Sequence, residues 1–292
     1  MTTIITHAGA ANIPDELWQA HQNACKQAYD AGIKILDENG TAVDAVTAAL
    51  QVMENIAILD AGIGGYLTTT GKIELDAGLM EGKTFRSGAV INVSCIKSPI
   101  AAARAVLLNS EHCLFAGEGA HEFAKAFNLE MVNDDYHIIE EQRELLKKLH
   151  TDDGSILNTI WKHRDHDTVG AIALDHEGNL AAGNSTGGIP YKQPGRVGDA
   201  ALVGNGFYAD NHIGAFVCTG KGEAIMESQM GMFALFALKS GKSAQEAAKI
   251  AIDRLQEATP HGRAGILVMT PDGKFAMEHN TTHMAHYLHF TH

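Results

Sequence analysis

The feature that most constrains this chain is an abrupt change of texture at residue 168. The stretch HTDDGSILNTIWKHRDHD, His150 to Asp167, is polar, carries breakers and is the one long linker-like segment. Directly after it comes TVGAIALD, a compact apolar strand. A turn over HEGN follows, and then LAAGNSTGG as the partner strand. A chain that moves from a polar linker into a tight apolar hairpin puts Thr168 at a junction. The strand that Thr168 opens is committed to a core.

Both sides of this junction mix strands and helices. Thr3 to Thr6 reads as a short β start. Pro14 suits the first turn of a helix that runs to about Leu36 and stops at Asn39-Gly40. Thr41, with Asp44 three residues on, opens a helix over AVDAVTAALQVM. GYLTTTGKIELDA predicts two strands around Gly71, RSGAVINVS another strand, and Pro99 the start of a helix over IAAARAVLL. Two amphipathic helices fit GEGAHEFAKAF and IIEEQRELLKKLH. Beyond the hairpin, VGNGFYADNHIGAFVCTG reads as strand. Helices are expected over EAIMESQMGMFALFALKSG and SAQEAAKIAIDRLQEA, then a hairpin RAGILVMT–PDG–KFAMEH and a His-rich tail. This order predicts sheets with helical layers and non-local pairing, not an alternating βαβ fold. No solenoid period is visible.

Charge and cysteine usage exclude some function classes. The formal net charge is −13, so the chain is a poor partner for nucleic acid or an anionic membrane surface. MTTIITHAGA has neither a basic n-region nor a long apolar core, and no apolar run is long enough to span a bilayer. The four cysteines are scattered and form no CxxC pair, which favours reduced thiols in a cytoplasmic protein over zinc or a disulfide framework.

Three groups of residues could carry chemistry: Asp167-Thr168-Val169-Gly170; Ser185-Thr186-Gly187-Gly188; and Gly195-Arg196-Val197-Gly198-Asp199 with Thr219-Gly220-Lys221-Gly222-Glu223. Each has an ordinary explanation when taken singly. Threonine is a common strand residue, glycine clusters mark turns, and Arg near Asp is often a surface pair of little energetic value. Together they carry a second meaning. From Thr168 on, HDTVGAIALDHEGNLAAGNSTGG, KQPGRVGDAALVGNGFYADN and CTGKGEAIM resemble the plant-type asparaginase and isoaspartyl peptidase family of N-terminal-nucleophile hydrolases. TAVDAVTAAL, DAGIGGYLTTTGKIELDAGLMEGKTFRSGAV, IKSPIAAARAVL, DDYHIIEEQRELL and HNTTHMA extend the resemblance over nearly the whole chain, in order.

The resemblance implies an α+β fold, a four-layer αββα sandwich, formed by residues 1–292 as a single domain. It implies autocleavage between Asp167 and Thr168 into an α-chain 1–167, ending in the linker of about 150–167, and a β-chain 168–292. Thr168 matches the nucleophile. A threonine hydroxyl needs a base beside it, and a freed N-terminal amine, titrating near ~8, supplies one within the same residue. Thr186 matches a second threonine that orients the Thr168 hydroxyl. Thr219 and Gly220 match an oxyanion hole. Arg196 matches the grip on a substrate α-carboxylate and Asp199 the partner of its α-ammonium, with Val197, Gly198, Lys221 and Gly222 alongside. The implied reaction is hydrolysis of isoaspartyl (β-aspartyl) dipeptides and L-asparagine, releasing L-aspartate from a small-molecule or dipeptide substrate. Two alternatives are a glycosylasparaginase-type amidase and an unprocessed, non-catalytic homologue acting as a binding protein.

Departures from the family pattern sit at Ala8 and Ala11 in His7-Ala8-Gly9-Ala10-Ala11, where glycines are usual. Asp60 stands where Asn is usual, Asn184 precedes STGG, and Lys221 lies inside TGKG. They bear on processing rate and substrate preference. No cofactor is required by the resemblance, but it extends to a loop that in some members binds a structural sodium ion through backbone carbonyls, here Met53, Glu54, Ile56, Leu59, Ala61 and Ile63. It also implies (αβ)2 self-assembly, with GMFALFALKSG a candidate interface. The tail histidines His279, His283, His286, His289 and His292 mix strand and helix spacing and read as a partly packed terminal segment, not a metal site.

Overall fold

The computed structural model describes residues 2–155 and 168–288. Asp167, His289 and His292, named above, lie outside the described residues. The elements run β1 (Thr3–Ala11), α1 (Asp15–Asp37), α2 (Ala42–Glu54), a 3-10 turn (Ala57–Leu59), β2 (Leu75–Glu81), β3 (Ser87–Val93), α3 (Pro99–Asn109), β4 (Leu114–Ala116), α4 (Gly117–Ala126) and α5 (Glu140–Thr151). After the junction come β5 (Thr168–Leu174), β6 (Leu180–Thr186), β7 (Phe207–Asp210), β8 (Gly214–Gly220), α6 (Gly222–Ser228), α7 (Met230–Lys239), α8 (Ala244–Ala258), β9 (Ala264–Met269), β10 (Phe275–His279) and β11 (His283–Tyr287).

Two sheets organise these elements. The larger has the order β11-β1-β5-β6-β2-β3-β4 and the smaller β10-β9-β8-β7. Among the strands of the described residues, only β3 and β4 form a parallel ladder. Helices α1, α2 and α3 pack on one face of the large sheet, and α7 and α8 on one face of the small sheet. The remaining faces meet through β5, β6 and β1 against β8, β7 and β9. The result is the four-layer αββα sandwich. Three apolar cores follow from it: Leu36, Leu50 and Leu75 lie among those between helices and large sheet, Ile5, Phe207 and Met269 between the sheets, and Phe216, Leu255 and Ile266 under α7 and α8. β5 and β6 are buried along their whole length because both faces are covered.

Local chemistry starts and stops the elements. The Thr41 hydroxyl accepts from Asp44 N at 3.1 Å and caps α2. Ser98 caps α3 ahead of Pro99, and Ser243 with Glu246 forms a reciprocal capping box on α8. The β5–β6 turn closes around Asp175, whose Oδ1 accepts from Glu177 N at 3.0 Å and Asn179 N at 2.9 Å.

The structure corrects four expectations. GYLTTTGKIELDA does not form two strands about Gly71: Leu67 and Ile73 share only an isolated bridge, and the strand proper is β2. The helix expected over EAIMESQMGMFALFALKSG is divided at Gln229, which adopts φ 56° and ends α6 in a left-handed residue. The short edge strand β4 is absent from the reading because it is only three residues long. The first strand runs to Ala11, five residues past the expected end, since it is sandwiched between β5 and β11. Half-buried His279, His283 and His286 lie in or beside β10 and β11, and His286 pairs with His7 across the β1–β11 register.

One buried carboxyl ties the helical layer to β6. Glu54 ends α2 at 2% exposure. Its Oε1 accepts from Ile100 N at 2.8 Å and from Ser185 Oγ at 2.7 Å, while Oε2 accepts from Ser98 Oγ at 2.6 Å. Burial pushes its carboxyl up to about 7, with the three donors pulling against that shift. Glu54→Ala would strand these donors, at ~1–3 kcal/mol for each buried group left unpaired. Thermal melting should therefore fall by roughly 5 °C or more; an unchanged midpoint would show that the node carries no stability.

Candidate active site

The site forms where three strands of the large sheet end side by side. Thr168 opens β5 and is the register partner of Thr186, the last residue of β6. Thr186 is in turn the register partner of Asp76 on β2. Because side chains on neighbouring strands at one register share a face, this places the two threonines together. The Thr168 hydroxyl lies 3.4 Å from Thr186 Oγ1. Both residues are 4% exposed. The backbone N–H of Gly188 donates to Thr186 Oγ1 at 3.0 Å. From the small sheet, Thr219 Oγ1 donates to the Thr168 carbonyl at 3.3 Å. Thr168 is thus fixed both within its sheet and across the sandwich.

Thr219 and Gly220 end β8 beside this pair. Gly220 has φ 131°, and a Cβ there would lie 2.4 Å from the Arg263 carbonyl, so the backbone needs glycine. The next N–H, of Lys221, donates to that same carbonyl at 2.8 Å. The Lys221 side chain is exposed.

Arg196 and Asp199 meet over Gly222. A Cβ on Gly222 would lie 3.0 Å from Asp199 Oδ1 and 3.1 Å from Arg196 Nη2, and one on Gly198 would lie 3.0 Å from Arg196 Nη1. The two glycines therefore make room for both side chains. Arg196 forks onto Glu223, with Nε to Oε1 at 3.0 Å and Nη2 to Oε2 at 2.9 Å. Burial raises the Glu223 carboxyl, but the Arg196 fork outweighs it and holds the group below its ordinary value. This geometry shows that the guanidinium fits a carboxylate bidentately. Asp199 is 2% exposed and its Oδ2 has no hydrogen-bond partner among the described residues. Burial pushes its carboxyl up to about 7. An incoming cation would supply the missing partner and favour the charged form. Val197 is half-buried between Arg196 and Gly198.

The stretch around His7 lines the other flank. His7 is the register partner of Gly170, and Ala8 of Val169. Within HAGAA only Gly9 has a positive φ, 85°, while Ala8 and Ala11 are core residues with ordinary backbone. The fold thus accepts alanine at both positions without strain. Burial lowers the His7 imidazole to about 3, helped by the neighbouring His286, so it is neutral. Asn184, across Gly170 from His7, donates to the Gly206 carbonyl at 2.8 Å and the Cys218 carbonyl at 3.1 Å, lacing β6 to the small sheet. Asp60 also borders the site through its backbone, since its carbonyl accepts from Gly187 N at 2.7 Å.

Sequence reasoning missed two buried charges here. Lys192 is 2% exposed and donates to the Gly187 carbonyl at 2.8 Å and to the Glu74 carbonyl. Asp76, also 2% exposed, accepts from Asn92 N at 2.8 Å. The available signals were a lysine between glycine and proline turns and an aspartate inside an apolar strand. Among the described residues, no group of three or more His, Cys, Asp or Glu side chains is placed to hold a metal ion. No helix of the described residues is long and apolar enough to cross a membrane.

An αββα sandwich that presents a strand-opening threonine between its two sheets is the architecture of a hydrolase of the N-terminal-nucleophile type. The chain belongs to the Asparaginase family, whose family model matches residues 1–292. It is 38% identical over 282 residues to the isoaspartyl peptidase/L-asparaginase of Bos taurus, covering 96% of this chain and 91% of that one. It is 36% identical over 283 residues to the protein of the same name from Homo sapiens, with 96% and 91% covered. It is 37% identical over 295 residues to the plant-type L-asparaginase of Pyrobaculum calidifontis, with 98% and 96% covered.

Gly170 has no room for a single added carbon. A Cβ there would lie 2.1 Å from His7 Nε2 and 2.3 Å from Asn184 Oδ1. Gly170→Ala should destabilise the chain by about 1–3 kcal/mol through overpacking, measured by chemical denaturation. Gly119→Ala, where a Cβ meets nothing within 4 Å, should be neutral or slightly stabilising. Equal stability of the two variants would contradict the packing described.

Proposed function

We propose that the chain cuts itself between Asp167 and Thr168 and then hydrolyses isoaspartyl dipeptides and L-asparagine, releasing L-aspartate. The observation that carries this reading is the buried Thr168 hydroxyl, 3.4 Å from Thr186, on the first residue of β5. In the intact chain Thr168 Oγ1 would attack the Asp167 carbonyl carbon. The peptide nitrogen leaves with a proton, and water hydrolyses the resulting ester. The freed amine of Thr168 then serves as the base that takes the proton from its own hydroxyl. In turnover the same oxygen attacks the side-chain amide carbonyl of the substrate, the amine leaves, and water releases aspartate from the ester.

The other residues take roles their surroundings suit. Thr186 would orient the nucleophile, and Thr219 with Gly220 would stabilise the developing oxyanion. The substrate α-carboxylate would take the place of Glu223 on the Arg196 fork. Its α-ammonium would complete the partnerless Asp199 oxygen. Val197, Gly198, Lys221 and Gly222 would frame this head-group site. Both charges of a free aspartyl head group are thereby read, which favours isoaspartyl dipeptides and asparagine over amides whose head group is blocked.

Three wider parts of the reading go with it. The chain would act as one domain of two fragments, 1–167 and 168–292, in the cytoplasm. Copies would assemble as (αβ)2 through α7, where Phe233 and Phe236 are 40% and 58% exposed. The segment from Met53 to Ile63 would hold a sodium ion by backbone carbonyls of Met53, Glu54, Ile56, Leu59, Ala61 and Ile63, oxygen donors that suit a hard cation. That segment turns back on itself through left-handed Asp60 and Gly62, and its closure is pinned by Ile63 N donating to the Glu54 carbonyl at 2.8 Å.

Intact-mass spectrometry of purified protein tests the reading. It should show two fragments divided between Asp167 and Thr168, and a Thr168→Ala variant should remain whole and inactive. A wild-type chain that turns over these substrates while uncut would overturn it. Faster turnover of a glycosylated asparagine than of a β-aspartyl dipeptide would move the activity to the glycosylasparaginase reading.

A further inference from the structure

Lys192 has no role in the mechanism above, yet it occupies an unusual place. Its ammonium is buried and donates to the Gly187 carbonyl at 2.8 Å. The N–H at the other end of that same peptide unit, Gly188 N, donates to Thr186 Oγ1 at 3.0 Å. Thr186 Oγ1 in turn faces the Thr168 hydroxyl at 3.4 Å. A single peptide therefore links the ammonium to the threonine pair. The preceding N–H, of Gly187, is held by the Asp60 carbonyl at 2.7 Å, so the unit cannot rotate freely. Gly188 has φ 81°, and a Cβ there would lie 2.6 Å from Lys192 Nζ, so glycine opens the space the ammonium fills.

We propose that Lys192 is a positioning residue, whose charge acts through the Gly187–Gly188 peptide to set the Thr186 hydroxyl against Thr168. A peptide unit is conjugated, so a cation on its oxygen makes its N–H a stronger donor. That N–H claims one lone pair of Thr186 Oγ1. The Thr186 hydroxyl proton is then left free to be donated to the Thr168 oxygen as that oxygen loses its own proton and gains charge. A charge-assisted bond is roughly twice as strong as a neutral one, which suits a buried anchor. The reading rests on Thr168 being the nucleophile, as proposed above.

The groups facing the ammonium are Asp76 on β2, Glu74 and Arg196. Burial lowers the Lys192 ammonium to about 8, with Asp76 and Glu74 opposing the shift and Arg196 adding to it. Deprotonation would leave an amine that can still bond both carbonyls but no longer carries charge. The charge, not the contact, is therefore what an alkaline titration removes.

The test uses the mature enzyme, with kcat at saturating L-asparagine expressed per cleaved chain. Lys192→Met keeps the apolar bulk and removes the charge; it should lower kcat by about tenfold or more, with KM within about twofold because Arg196 and Asp199 still hold the head group. It should slow self-cleavage by a similar factor, since the same hydroxyl attacks. Wild-type kcat should fall above pH of about 8, and Lys192→Arg should push that fall beyond the range tested, because a guanidinium stays charged. Asp76→Asn, which leaves Lys192 in place should the Lys192 variants not fold, should move the alkaline fall to lower pH. Unchanged kcat in Lys192→Met, a KM rise matching the kcat loss, or an alkaline limb unmoved by both Lys192→Arg and Asp76→Asn would overturn the proposal. A wild-type chain that neither cleaves nor turns over would instead sink the nucleophile reading.

Discussion

The site depends on the register of the β5–β6 hairpin. With Thr168 opposite Thr186, and Asp76 beside them on β2, the hydroxyls share one face of the large sheet. A slip of one residue would turn Thr168 to the opposite face and dissolve the pair. The register is held at both ends. At the turn, Asp175 gathers the N–H groups of Glu177 and Asn179 and also accepts from Ala42 N at 3.2 Å, which anchors the hairpin to α2. At the threonine end, Ser185 points to the helical face, where Glu54 accepts from it, while Thr186 points to the site.

The second constraint is the contact between sheets. Asn184 donates to carbonyls of the small-sheet side, and Thr219 donates to the Thr168 carbonyl. The large sheet thus supplies the hydroxyl pair, whereas β8 supplies Thr219 and Gly220. Neither sheet alone forms the site. Gly170 allows this closeness, because any side chain there would strike both His7 and Asn184. Charge at the site follows the same geometry: Arg196 is satisfied by Glu223, whereas Asp199 is buried with an oxygen that no described residue meets.

Much of this was legible in the sequence. Apolar runs flanking HEGN mark the central hairpin, and Thr41 and Pro99 lie where helices begin. Thr168, Thr186, Thr219, Arg196 and Asp199 were singled out by motif, and the structure brings all of them to one end of the sandwich. What the sequence hid has physical causes. The division at Gln229 depends on one left-handed residue in a run that is otherwise good helix. GYLTTTGKIELDA reads as two strands around Gly71, but around that turn only the isolated bridges Leu67–Ile73 and Thr68–Lys192 form. The pairing of Arg196 with Glu223, and the burial of Lys192 and Asp76, arise from residues distant along the chain. The partners that bury and pair them are not marked locally.

Acid quench of the enzyme during turnover of a β-aspartyl dipeptide, followed by digestion and mass spectrometry, tests the central claim most directly. The account predicts an aspartyl ester on the peptide whose first residue is Thr168, with that peptide's amino terminus free. An adduct on any other residue, or an ester on Thr168 in a chain still joined to Asp167, would contradict it.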